Sequence, residues 1–381
     1  MVRRMSGRKN RRRRLTIGVI GGLAIAAFAF GAVLSDRGAP PPPSPASRLS
    51  LRQLVGERLV AGFHGTTVPA PLRQMIRQGG LAGVILFAKN LSSRSVARDL
   101  VAEIESIRRP AGLRDSLLVM VDQEGGLVKR LAGAPTASAA QMGAAGPAFS
   151  REQGRATAAS LRRVGINVDL APVLDVARPG GTIADTDRGF GSSAAKVEAT
   201  ALPFAAGLQD GGVAATAKHF PGLGAAAGNT DFAVQRIDLS KPELRAVDER
   251  PYRRFGAAGG ELVMLSTAIY PAFSPKPAAF AGAIASDELR RRFGFDGVSI
   301  TDALESAAVR SFGGPATAAR AATAAGTDLL LFTDYRAAAV AGRALLRRLH
   351  GTPGARAPFE ASAGRVLRLR HALPASAVPQ P

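Results

Sequence analysis

The sequence predicts a (β/α)8 barrel of the TIM type, and three observations carry that expectation. Short β-rich runs alternate with longer Ala/Arg/Leu-rich stretches along most of the 381 residues, the pattern of repeated βα units around a parallel sheet. There are eight such runs. Polar residues collect just behind them, where a barrel gathers its chemistry at one mouth. The expected strands are Leu59–Phe63, Gly83–Phe87, Leu117–Asp122, Asn167–Ala171, Ala214–Lys218, Leu262–Leu265, Gly297–Thr301 and Asp328–Phe332. Most are continuously apolar, as strands covered on both faces must be. Eight units in succession favour a closed ring over an open doubly wound sheet, and no dinucleotide-type glycine fingerprint follows the first strand.

The composition is globular, with 46% hydrophobic and 21% charged residues. There is no cysteine, which excludes disulfides, thiolate metal sites and a lipidated cysteine. The formal charge is +21. Residues 1–47 hold nine Lys/Arg and one Asp, leaving +13 for the remainder. The cations are scattered, without aromatic interleaving or a nucleic-acid module. A basic surface beside an anionic membrane or wall polymer is the better physical reading.

The N-terminus has its own logic. Arg3, Arg4, Arg8, Lys9 and Arg11–Arg14 precede an uncharged stretch from Leu15 to Leu34. As a helix this stretch measures about 30 Å, enough to cross the hydrocarbon core. The arginines keep that end cytoplasmic and export the rest. Residues 1–35 are therefore expected to be a basic segment and signal-anchor helix, a cleaved signal peptide being the alternative. The protein would be held at the cell membrane with its catalytic part outside, or secreted if cleaved. Residues 36–47, with Pro40–Pro43 and Pro45, form a stiff linker. The catalytic domain is expected over 48–373 and a loose tail over 374–381.

Behind the strands stand His64, Lys89 and Asn90, Asp122-Gln123-Glu124, Asp175, Lys218-His219, Ser266, Asp302 and Asp334. A single charge in such a place is usually a helix cap or a solvated loop residue. Eight positions in a row point to one ring of chemistry. The pair Asp185/Asp187 lies in a Gly-rich loop and reads as solvated rather than as a cation site.

Several segments carry a resemblance: Val121-Asp122-Gln123-Glu124-Gly125-Gly126 with Arg130-Leu131, and Asn167-Val168-Asp169-Leu170-Ala171-Pro172-Val173-Leu174-Asp175-Val176. Others are Arg188 with Phe190, Lys218-His219-Phe220-Pro221-Gly222, Val263-Met264 with Ile269-Tyr270-Pro271, and Gly297-Val298-Ser299-Ile300-Thr301-Asp302-Ala303-Leu304. In these the chain resembles glycoside hydrolase family 3, specifically its single-domain bacterial β-N-acetylhexosaminidases of cell-wall turnover. The resemblance runs from about residue 50 to 370. It implies a retaining exo-β-N-acetylglucosaminidase acting on peptidoglycan fragments or related envelope glycans, with no metal or other cofactor.

The resemblance makes Asp302 the nucleophile, a carboxylate that attacks the anomeric carbon. It assigns sugar binding to Asp122, Asp175, Arg188, Lys218 and His219, whose carboxylates accept from hydroxyls while the cations donate to sugar oxygens. Met264 and Ser266 are expected to line the acetamido pocket. One departure matters. After Lys-His-Phe-Pro-Gly the family continues into a His-Gly-Asp-Thr element and an Asp-x-His dyad whose histidine is the acid/base. Here the chain reads Leu223-Gly224-Ala225-Ala226-Ala227-Gly228-Asn229-Thr230-Asp231, so Asn229 stands for the dyad's aspartate and Asp231 for its histidine. Asp231 could serve as the acid if burial raised its pKa. Another donor or a good leaving group could serve instead, or the protein could bind sugar without turnover. A β-glucosidase of the same family is the remaining alternative. The glycine-rich loop is expected to be mobile.

Overall fold

The computed structural model describes residues 45–375. Eight parallel strands form a barrel: β1 Leu59–Ala61, β2 Gly83–Leu86, β3 Leu118–Val121, β4 Val168–Asp169, β5 Ala214–Phe220, β6 Leu262–Leu265, β7 Val298–Thr301 and β8 Leu330–Phe332. Neighbours in sequence pair in order from β1 to β7, and β8 pairs with β1 through Leu59↔Leu330. A parallel bridge between Ile300 and Leu329 joins β7 to β8, so the ring closes. Each expected strand is present. The ladders are mostly shorter than the apolar runs because twisted strands leave their neighbours early; β4 keeps only two of five expected residues.

Continuous apolarity has the expected cause. Val60, Ile85, Met120, Val168, Met264, Ile300 and Leu331 point inward and pack as one cluster. Their neighbours Leu59, Ala61, Val84, Val119, Val263 and Leu265 belong to the outer core beneath the helices. Alternate side chains of a strand face opposite ways, so both layers demand apolar residues.

Between strands run helices such as Arg94–Glu105, Ala194–Asp210 and Tyr335–Gly351. Ser93 and Ser193 cap the first two, each accepting from a backbone N–H three residues on. The last helix, Arg356–Ala372, crosses the bottom of the barrel and sends Val366 and Leu369 into its interior. Ser362 and Arg365 bond Asp328 below β8, while Arg370 bonds Glu57 below β1.

The fold reaches slightly past the expected limits. Pro45–Arg48 form a turn with Ala46 buried, and Arg356 donates to the carbonyls of Ser47 and Leu49. At the other end Arg162 donates to the carbonyls of Pro374 and Ala375. The expected membrane helix within 1–35 and most of the linker lie outside the described residues. Among the described residues no helix is long and apolar enough to cross a membrane.

Candidate active site

At the C-terminal ends of the strands opens a cavity of about 330 Å³, a size suited to a small ligand. The end of β5 and the segments after β3, β4, β5 and β7 supply its polar wall: Asp122, Glu124, Arg130, Arg188, Lys218, His219, Asp231 and Asp302 all line it. Ile85, Leu170, Met264 and Leu331 form its apolar floor. The carboxyl group at the tip of β7 therefore shares one bowl with the Lys-His pair at the end of β5.

The wall is built from β3 outward. Asp122 ends that strand, and the chain turns into a small hairpin of Gln123–Gly125 against Val128–Lys129. Gln123 holds it, donating to the carbonyls of Leu131 and Ala134 and accepting from the N–H groups of Arg130 and Leu131. The hairpin sets Glu124 between two cations. Arg188 grips its carboxylate with two bonds of 2.8 Å, and Lys218 Nζ lies 2.7 Å from it and 2.7 Å from Asp122. Burial opposes the Glu124 charge, yet Arg188 and Lys218 outweigh it and hold the carboxyl far below its usual range. For Lys218 burial is likewise outweighed by Asp122 and Glu124, which raise its pKa. Both stay charged.

Asp169 sits beside them on β4, wholly buried. Burial pushes its carboxyl well above the ordinary value, with Asp122 and Glu124 adding to the effect. One oxygen accepts from the Gln123 N–H and the other has no partner among the described residues.

Two of the expected sugar contacts do not face the cavity. Asp175 is fully buried behind His219. It accepts from the His219 N–H (3.0 Å), the Leu223 N–H (2.7 Å) and the Tyr252 hydroxyl (3.0 Å), and pairs with His219 Nδ1 at 2.8 Å. With four groups on it, Asp175 has nothing left for a ligand; it orients the imidazole and turns Nε2 toward the opening. Ser266 is also buried, its hydroxyl accepting from the Ala268 N–H in the turn after β6. Met264 does line the cavity. Of the wider ring behind the strands, Asn90 is buried and ties the Phe63 and Gly65 carbonyls, and Asp334 caps the helix that follows it. His64, Lys89 and Asp334 are absent from the lining.

The Asp302 backbone N–H bonds Leu265 O on β6, and one carboxylate oxygen accepts from the Ala303 N–H. Burial raises its pKa, His219 and Lys218 pull it down, and Asp231 pushes it up. Asp231 itself is exposed at the loop tip, with its N–H on Asn229 Oδ1 and its carbonyl accepting from Ala307. The burial on which its role as acid was made conditional is missing. The glycines have a different purpose from mobility. A side chain at Gly224 would meet the Val176 carbonyl at 1.9 Å, and at Gly222, with φ +136°, the Asp248 side chain. Leu223 and Ala226 are buried, so this half of the loop is packed. Residues Asp231 to Val234 are the exposed part.

Glu124, Arg130, Asp169 and Tyr252 are members of the site to which the sequence reading assigned no role, although Glu124 stood in the ring behind the strands. Glu124 and Arg130 stood in the motif that named Asp122, two and eight residues on. Tyr252, on the helix Arg250–Ala257, had no local signal; only folding brings it to Asp175.

Residues 51–369 match the family described as "Glycosyl hydrolase family 3 N terminal domain". A beta-hexosaminidase of Alkalilimnicola ehrlichii is 34% identical over 317 residues, covering 77% of this chain and 89% of its own. An uncharacterized secreted glycosyl hydrolase of Arthroderma benhamiae is 37% identical over 302 residues, 77% of this chain and 85% of that one. Among solved structures, a beta-N-acetylhexosaminidase from Beutenbergia cavernae superposes with TM-score 0.75 at 32% identity, over 85% of this chain and 99% of that one. A glycoside hydrolase family 3 beta-N-acetylglucosaminidase from Paenibacillus gives TM-score 0.79 at 33% identity, over 85% of this chain but 62% of that longer one.

Proposed function

The chain belongs to glycosyl hydrolase family 3, and from that membership we propose a retaining exo-β-N-acetylglucosaminidase that removes terminal N-acetylglucosamine from peptidoglycan fragments or related envelope glycans. Asp302 attacks the anomeric carbon while the glycosidic oxygen takes a proton and leaves. Water then attacks the glycosyl-enzyme, losing its proton to the same acid/base and freeing Asp302. Asp122, Arg188, Lys218 and the oriented His219 hold the hydroxyls, and Met264 meets the acetamido methyl. Asp231 is the acid/base candidate. As an exposed carboxyl, it gains a donor's surroundings only when bound sugar shields it from water. The same proposal covers location: the apolar stretch Leu15–Leu34 behind its arginines would hold the enzyme at the outer membrane face, or direct its secretion.

One observation supports the reading above others: Asp302, Lys218, His219 and Asp122 open onto a single cavity. The exposure of Asp231 favours a second reading, sugar binding without turnover. Incubation with an aryl N-acetyl-β-glucosaminide and the matching β-glucoside separates the two, and a β-glucosidase from both. Turnover of the first substrate alone is expected. Asp302→Asn should abolish it by on the order of 10⁴-fold or more, as loss of a nucleophile does. A slow fluorosugar substrate should label the peptide bearing Asp302. Binding without turnover or label supports the second reading.

A further inference from the structure

We propose that the base of the barrel, opposite the cavity, is a docking face for an anionic lipid surface. In this fold the helices end and the strands begin at the base, and here those positions are rich in arginine. Arg108, Arg114, Arg163, Arg347, Arg348 and Arg368 are all exposed there. The first two lie in the loop before β3, Arg163 ends a helix, Arg347 and Arg348 lie in the last turns of Tyr335–Gly351, and Arg368 is on the helix closing the barrel.

None of the six is ion-paired among the described residues. Several other arginines are matched, as in Arg250 with Glu198 and Arg73 with Glu103. The exposed acids near these arginines are few: Asp115 lies 3.7 Å from His371, Asp210 at the end of its helix is taken by Arg151 and Arg155, and Asp296 stands before β7. Unpaired guanidinium groups spread over one face suit a diffuse layer of anionic headgroups. The face has no exposed large aromatic side chain, so it lacks the stacking platform that single-stranded nucleic acid needs.

The chain's path points the same way. Pro45–Arg48 dock on the start of the base helix through Arg356, so the chain joins the barrel from this side. Ten residues separate Leu34 from Pro45, a reach of at most about 40 Å. This last point rests on the membrane reading of the apolar stretch; the arginine face does not. A base seated on headgroups turns the mouth away from the bilayer, toward glycan.

The test reconstitutes the full chain with phosphatidylcholine vesicles and with vesicles that also contain phosphatidylglycerol. Amide exchange is followed in Arg356–Ala372 and in residues 108–116. Exchange should slow only with phosphatidylglycerol, and the protection should disappear at high salt, because exposed charges are screened within about 10 Å at 0.1 M. The variant R108E/R114E/R347E/R348E/R368E should lose the protection while turning over a soluble aryl glycoside as before; the salt arm decides on the unaltered protein if that variant fails to fold. Equal exchange with both lipids overturns the proposal. So does protection by soluble polyglycerol phosphate but not by anionic vesicles, which would assign the face to a wall polymer. Failure of the anchor reading looks different: the chain would not float with phosphatidylcholine, yet anionic vesicles would still protect the base.

Discussion

Asp302 and Asp231 are two carboxyl groups with opposite needs. The nucleophile must be ionised, and burial together with the Asp231 charge works against that, with His219 and Lys218 opposing. On the acid side, kcat/KM should therefore fall through a pKa raised from that of an ordinary aspartate. Asp231→Asn removes one of the raising charges, so the acid limb should move to lower pH. The same substitution should cost about 10²–10⁴-fold on glycosides with poor leaving groups and far less on activated aryl glycosides. Both signatures come from pH–rate profiles on two substrates. An unmoved acid limb and equal losses on both substrates would remove Asp231 from the mechanism. Asp302 was legible in the sequence because Thr301-Asp302-Ala303-Leu304, closing an apolar strand, resembles the family's nucleophile motif. The solvent exposure of Asp231 was not, since it depends on what the loop leans against.

At the scale of elements, the segment after β5 is held by one buried carboxylate. Asp175 ties His219, Leu223 and Tyr252, joining the β4 loop, the β5 loop and the helix Arg250–Ala257. Asp175→Ala leaves those donors buried without partners, at about 1–3 kcal/mol for each group stranded. A large fall in thermal midpoint is expected, and in the surviving folded fraction KM should rise as His219 loses its orientation. Asp175→Asn keeps the shape and should fall between. Unchanged melting in Asp175→Ala would contradict the role. The motif containing Asp175 was visible in the sequence, but its direction was not. A residue behind a strand can face the mouth or the packing, and the His219 N–H, the Leu223 N–H and the Tyr252 hydroxyl decide the second.

For the whole molecule, burial of acids sets the pH response of stability. Burial pushes Glu261 up to about 7 although it accepts from the Ala215 N–H, and Glu249 up to about 7 with Glu288 adding to burial. A carboxyl raised in the folded state binds protons that the unfolded chain has released. Its contribution is thus fully present below the unfolded carboxylate range and is lost as pH rises through about 7. Stability should decline from pH 5 to 8. Glu261→Gln, which keeps a neutral acceptor for Ala215, should flatten that decline by on the order of 1–3 kcal/mol. Urea midpoints at the two pH values measure it. A steeper decline in the variant would reverse the assignment.

The sequence by itself determined the barrel, because strands covered on both faces must read as apolar runs and eight of them must close. It also determined which motifs meet at the mouth, since topology sends every strand end to the same rim. Tertiary structure alone decided what each polar side chain faces. Asp175 and Ser266 turn into packing, Glu124 is held between Arg188 and Lys218, Tyr252 arrives from 77 residues away, and unpaired arginines gather at the base. Direction and partner depend on atoms contributed by distant segments, and no local spacing records those.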